Sequence, residues 1–80
     1  MKFVTYVIKS LSDGKYYVGS CENVDKRLKQ HNTGKTRSTK SGAPWKLVHQ
    51  ELYDTRQEAY KRERKIKSYK GGEVFKKLLQ

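Results

Sequence analysis

Arg27 and His31 stand four residues apart in "RLKQH", the spacing that places two side chains on one face of a helix. Both flank the Val24/Leu28 stripe, so both are expected at the edge of the surface that such a helix buries, pointing into one cleft. An arginine there suits a phosphate, because its planar fork donates two parallel hydrogen bonds and stays charged at any working pH. The ordinary alternatives are a solvated basic face for Arg27 and a helix-end residue for His31. Glu63 is the second candidate. Ala59, Ile66 and Tyr69 mark the inner stripe of a later helix, and Glu63 falls on it, the one acid among Lys61, Arg62, Arg64, Lys65, Lys67 and Lys70. An inward carboxylate is costly unless it is paired or bound to a metal. A salt bridge to a neighbouring cation satisfies that condition, and so does Mg²⁺ held by one carboxylate, waters and phosphate oxygens.

Other motif readings fail. "GKT" at residues 34–36 has Lys29 where a phosphate-binding loop needs glycine, and Pro44 stands close behind. His31, His49 and Cys21 lack zinc-ligand spacing. With Cys21 the sole cysteine, there is no internal disulfide.

The charge narrows the partner. Nineteen Lys and Arg against eight Asp and Glu leave a net charge of +11, shared between both halves of the chain, and a phosphate backbone is the natural counterpart. No apolar run approaches the roughly 18 residues of a spanning helix. "MKFVTYVIKSL" is interrupted by Lys9 and has no small-residue cleavage site. A cytoplasmic protein without a membrane segment is expected, and residues 1–80 are expected to form one domain that buries only about 60% of its unfolded surface.

The elements that must hold these residues read as follows. "FVTYVIK" and "KYYVGS" are dense in β-branched and aromatic residues and flank "SDG", a hairpin signal. Asp13-Gly14 taken as a two-residue turn pairs Leu11 with Tyr16 and Ile8 with Gly19. Tyr6, Ile8 and Ser10 then share a face with Tyr17, Gly19 and Cys21, provided the loop count is even. Asn23 caps a helix over about residues 24–32 that stops at Gly34. A polar, basic loop runs to Pro44, and "WKLVHQELY" forms a third strand. Asp54 and Thr55 compete to cap the next helix, Thr55 forming a capping box with Glu58. That helix is expected to run through Lys70 to Gly71-Gly72. A short amphipathic segment follows, with Val74, Phe75, Leu78 and Leu79 on one stripe. The fold class is α+β in the order ββαβαα.

With these elements in place, the chain resembles the GIY-YIG nuclease superfamily, in particular small single-domain members related to the N-terminal module of excision-repair endonuclease subunits. Val4-Thr5-Tyr6 and Tyr17-Val18-Gly19 match the two motifs, "RLKQHNTG" matches the segment after the hairpin, and residues 44–70 match the third strand and second helix. Val-Thr replaces Gly-Ile in the first motif, and the tail has no match for the asparagine that larger members carry. The resemblance implies a three-stranded antiparallel sheet flanked by helices, and hydrolysis of DNA phosphodiester bonds with one divalent ion, Mg²⁺ or Mn²⁺. It assigns Tyr6 and Tyr17 to the attacking water, Arg27 to the phosphate, His31 to proton transfer or phosphate contact, and Glu63 to the metal. A tyrosine beside that positive centre is expected to have a lowered pKa and to serve as general base. Gly19 is expected to leave a gap through which a phosphate approaches. Lys35, Arg37 and Lys40 of the loop, with Lys61 and Arg64 of the second helix, are expected to bind the nucleic-acid backbone. DNA is the expected partner, RNA the alternative. A protein partner would supply targeting, and the chain would act as a monomer or homodimer. The rival class is a nucleic-acid-binding module or partner subunit with the same fold and little or no catalysis.

Overall fold

The structure is a computed structural model that describes residues 2–35 and 37–79, without the side chains of residues 37 and 38. Strands β1 (Phe3–Ser10), β2 (Tyr16–Cys21) and β3 (Trp45–Tyr53) form an antiparallel sheet in the order β2-β1-β3. Helix α1 (Val24–Asn32) follows the hairpin, a 3₁₀ helix (Arg37–Gly42) leads into β3, and α2 (Arg56–Lys67) and α3 (Glu73–Leu78) complete the chain.

β1 is central, and its near-continuous apolar run follows from cover on both faces. Val4, Tyr6 and Ile8 pack with Trp45 and, from α1, with Val24 and Leu28. Val7 packs the other way with Val18, with Ile66 of α2 and with Phe75 of α3. The two layers thus share one strand, whose alternate side chains build both.

The hairpin keeps the expected faces but not the expected register. Tyr6 pairs with Gly19, Ile8 with Tyr17 and Lys9 with Tyr16, two residues away from the pairing that a two-residue Asp-Gly turn demands. Ser10 is the reason. Its hydroxyl accepts from the backbone of Ser12 and Asp13, its carbonyl accepts from Gly14, and Asp13 accepts from the Lys15 amide. These bonds close a four-residue loop, with Gly14 at φ +78 supplying the left-handed position. Four is even, so Tyr6 and Tyr17 remain on one face.

Asn23 caps α1, accepting from the Lys26 amide at 3.1 Å, and Thr55 rather than Asp54 caps α2, accepting from the Glu58 amide at 3.2 Å. Helix α2 ends at Lys67, three residues before the expected Lys70, because the chain turns through left-handed Lys70 and Gly71 (φ 51 and 75). Of the expected stripe on α3, Phe75 is buried and Leu78 and Leu79 are half-buried, but Val74 is exposed. The segment expected as plain loop instead contains the 3₁₀ helix. Between β1 and β3 a register shift at Val7/Ile8 places His49, Glu51 and Tyr53 opposite Val7, Thr5 and Phe3. That turns all three toward α2, where Glu51 receives Arg62 at 2.8 and 3.2 Å.

Candidate active site

Four of the expected residues converge on the α1 side of the sheet. Tyr6 projects from β1 and is 1% exposed. Its hydroxyl lies 2.9 Å from His31 Nε2, and His31 Nδ1 lies 2.6 Å from the Thr39 hydroxyl. His31 is fully buried, not at the edge of the buried surface as its spacing implied. Tyr17, half-buried on β2, sets its ring 5.1 Å from the imidazole and 6.5 Å from Trp45. Arg27 is half-buried, donates to Gln30 at 3.0 Å, and has a buried Nε without a hydrogen-bond partner among the described residues. Its guanidinium lies against the Tyr6 phenol.

The charges of the protein's own groups do not acidify Tyr6. Burial pushes the Tyr6 phenol up to about 12, and the Arg27 charge beside it only partly offsets that. Tyr6 is a held, protonated phenol rather than an acidified one. Burial, followed by the Arg27 charge, lowers the His31 pKa, so the imidazole is neutral at physiological pH and one of its nitrogens is an acceptor.

Gly19 plays a different part from the expected one. It lies opposite Tyr6 across the hairpin, and a Cβ built on it would meet Tyr6 Oη at 2.5 Å. The space is filled by the phenol and is not an open gap for a phosphate.

Glu63 belongs to the other face. Ala59 and Ile66, each 1% exposed, fix the inner stripe of α2, and the Thr5 hydroxyl donates to the Ala59 carbonyl at 2.6 Å. Glu63, 9% exposed, sits between those anchors. Ser20 of β2 donates to its Oε1 and Lys67 to its Oε2, both at 2.7 Å. The salt bridge weighed as an alternative is therefore present. Among the described residues no group of three or more His, Cys, Asp or Glu is gathered for a metal ion. The Lys67 ammonium also lies 6.0 Å from the centre of the Tyr17 ring, linking the two faces around the free edge of β2. Beside that edge a cleft of about 880 Å³ opens between α1 and the start of α2, with Ser20, Lys26, Arg27, Arg56 and Tyr60 among its lining.

Lys35 and Lys40 are exposed next to α1, and Lys61 and Arg64 are exposed on α2 across the sheet; the Arg37 side chain lies outside the described residues. Sequence reasoning missed Ser20 and Thr39 as site features, whereas a salt bridge from Glu63 to a neighbouring cation such as Lys67 was among its alternatives. That pairing has a local signal, the four-residue spacing on a helix, and the two missed residues have none.

A sheet with this order, holding two tyrosines, an arginine and a histidine on one face and a glutamate at its edge strand, defines a class: residues 2–75 match the GIY-YIG catalytic domain, and the chain belongs to that family. It is 45% identical over 65 residues to a UPF0213 protein of Staphylococcus aureus strain Mu50, covering 80% of this chain and 78% of that one. It is 41% identical over 69 residues to a UPF0213 protein of Staphylococcus saprophyticus, covering 85% and 83%. The solution NMR structure of a UPF0213 protein from Bacillus halodurans superposes with a TM-score of 0.54 at 28% identity, over 96% of this chain and 80% of that one. No helix among the described residues is long and apolar enough to cross a membrane.

Proposed function

We propose that the protein is a metal-dependent endonuclease that hydrolyses DNA phosphodiester bonds by attack of water. The observation that carries this reading is the convergence of Tyr6, Tyr17 and His31 on Arg27, whose buried Nε has no hydrogen-bond partner among the described residues. A guanidinium held this way is preorganised for a phosphate, and its charge is aimed where negative charge grows during the displacement. The Tyr6–His31 contact provides a path for the proton. As water attacks phosphorus, the water proton passes to the Tyr6 oxygen and the Tyr6 proton to His31 Nε2, while the phosphorus–oxygen bond to the leaving strand breaks and the departing alkoxide takes a proton from bulk water. Neutral His31 accepts it without exposure to solvent. Tyr17, against the same imidazole, walls the site and orients the attacking water.

Glu63 fits a divalent ion of the Mg²⁺ or Mn²⁺ type. One carboxylate completed by waters and phosphate oxygens is a usual Mg²⁺ set, and Lys67, half-exposed, is free to swing away from Oε2. Bound there, such an ion would neutralise charge on the phosphate. Ser20 holds the other carboxylate oxygen and fixes its orientation.

The test is nicking of plasmid, flap and junction DNA, with binding measured in chelator. Glu63→Gln is expected to reduce nicking by on the order of 10²-fold while binding survives. Nicking that persists in the pure variant would refute the role of Glu63. A second reading, a binding module without catalysis, is favoured by the fact that both Glu63 oxygens are engaged internally. Wild type that binds every substrate and cuts none with either ion would establish it. Targeting by a protein partner, and a place in DNA repair, belong to this proposal as its biological setting.

A further inference from the structure

Thr39 lies in the basic segment that the charge pattern assigns only to backbone binding, yet it is 1% exposed. Its hydroxyl stands 2.6 Å from His31 Nδ1, and its carbonyl accepts the Trp45 indole N–H at 2.8 Å. The Trp45 bond clamps the residue, and the 3₁₀ helix brings it under the imidazole. We propose that Thr39 is a positioning residue whose hydroxyl holds His31 in the tautomer with the proton on Nδ1, leaving Nε2 free to accept from Tyr6. Its importance to catalysis rests on the nuclease reading of the Tyr6–His31 pair.

His31 is fully buried, so neither ring nitrogen turns to water and the protein sets both partners. A neutral imidazole has one donor and one acceptor, and a hydroxyl at each end allows two opposite senses of donation. Arg27 decides between them. A guanidinium is a donor only, and it lies against the Tyr6 oxygen, so the phenol proton is directed away from it, toward Nε2. Nδ1 must then carry the ring proton and donate it to Thr39. In the opposite sense Nε2–H and Arg27 would crowd one phenol oxygen with donors, and no acceptor would remain for the proton that leaves the attacking water. Valine keeps the shape of threonine but offers no acceptor, so in Thr39→Val a buried Nδ1–H has nowhere to donate. The ring would then move its proton to Nε2. Serine restores the oxygen. The segment flanked by Lys35 and Lys40 thus also carries the group that orients the buried imidazole.

The experiment is two-bond ¹H–¹⁵N correlation NMR of His31 in wild type, Thr39→Val and Thr39→Ser, without DNA or metal, with circular dichroism to verify folding. Wild type and Thr39→Ser are expected to show the Nδ1–H pattern, and Thr39→Val a shift toward Nε2–H. Nicking is expected to fall roughly 10- to 100-fold in Thr39→Val and to recover in Thr39→Ser, the size typical of lost outer-shell orientation. An Nε2–H pattern in wild type, an unchanged pattern in Thr39→Val, or failure of serine to restore it would overturn the proposal. Because the tautomer is read without substrate, wild type that nicks nothing would sink the nuclease reading and leave the spectra intact. Unaltered spectra beside normal nicking would sink Thr39 alone.

Discussion

The Tyr6 hydroxyl occupies the space that a side chain at Gly19 would need, with 2.5 Å between Oη and an ideal Cβ. The phenol has little room to retreat, because His31 lies 2.9 Å from the same oxygen. Gly19→Ala is therefore expected to cost about 1–3 kcal/mol by overpacking and to push Tyr6 off the imidazole. Urea unfolding reads the first effect and the His31 side-chain resonances the second. A variant with wild-type stability and an unmoved His31 would show that the strand yields instead.

The Glu51 carboxyl is pushed up by burial, but hydrogen bonds from Arg62, Tyr53 and His49 outweigh this and bring it down to about 2 from an ordinary 4.5. A group depressed by folding contributes its full stability above the unfolded pKa and loses it as pH falls through the folded one. Stability is thus expected to be flat in this respect above about pH 4.5 and to fall by on the order of 2–3 kcal/mol toward pH 2. Glu51→Gln should lower the urea midpoint at neutral pH and flatten its dependence in that window. A variant with the same acid slope as wild type would assign the loss to other carboxylates.

Lys67 holds the Glu63 oxygen that a metal would need. Lys67→Met is expected to tighten Mn²⁺ binding, read by the electron paramagnetic resonance of free ion, by about two- to fivefold, the worth of a half-exposed ion pair. Equal or weaker binding would show that the ammonium does not compete.

DNA binding in chelator is expected to fall by roughly 10³ or more between 50 and 200 mM salt if six or more phosphates are contacted. The triple substitution of Lys35, Arg37 and Lys40 by alanine should flatten that slope. A slope identical to wild type would move the contact surface to α2, where Lys61 and Arg64 are exposed.

The sequence alone displays whatever local chemistry decides. The caps at Asn23 and Thr55, the span of β3 and the inward turn of Glu63 each follow from a few neighbouring residues. The faces of Tyr6 and Tyr17 survived a wrong register because a slip of two preserves the side-chain period. The register itself depended on Ser10 bonding across its own loop, which "SDG" does not display. The failures elsewhere share a cause. Whether Gly19 is a gap or a seat for a phenol, whether His31 is buried or at an edge, and whether Tyr6 is acidified or held neutral depend on packing between residues far apart in the chain. Thr39 was hidden for the same reason: a threonine among lysines looks solvated until the 3₁₀ helix folds it against α1.

The edge position of β2 bears on behaviour in concentrated solution. Among the described residues this strand pairs with β1 alone, so its outer backbone groups can accept a strand from another molecule, the usual start of sheet-to-sheet aggregation. A site that opens at this edge cannot be capped by a further strand or helix without being closed. Mutual repulsion between copies carrying +11 each offers protection that leaves the edge accessible, and a polyanion removes it by neutralising the charge. The same surplus that would draw in a phosphate backbone therefore also keeps the chains apart, and precipitation is expected first where nucleic acid or high salt has screened it.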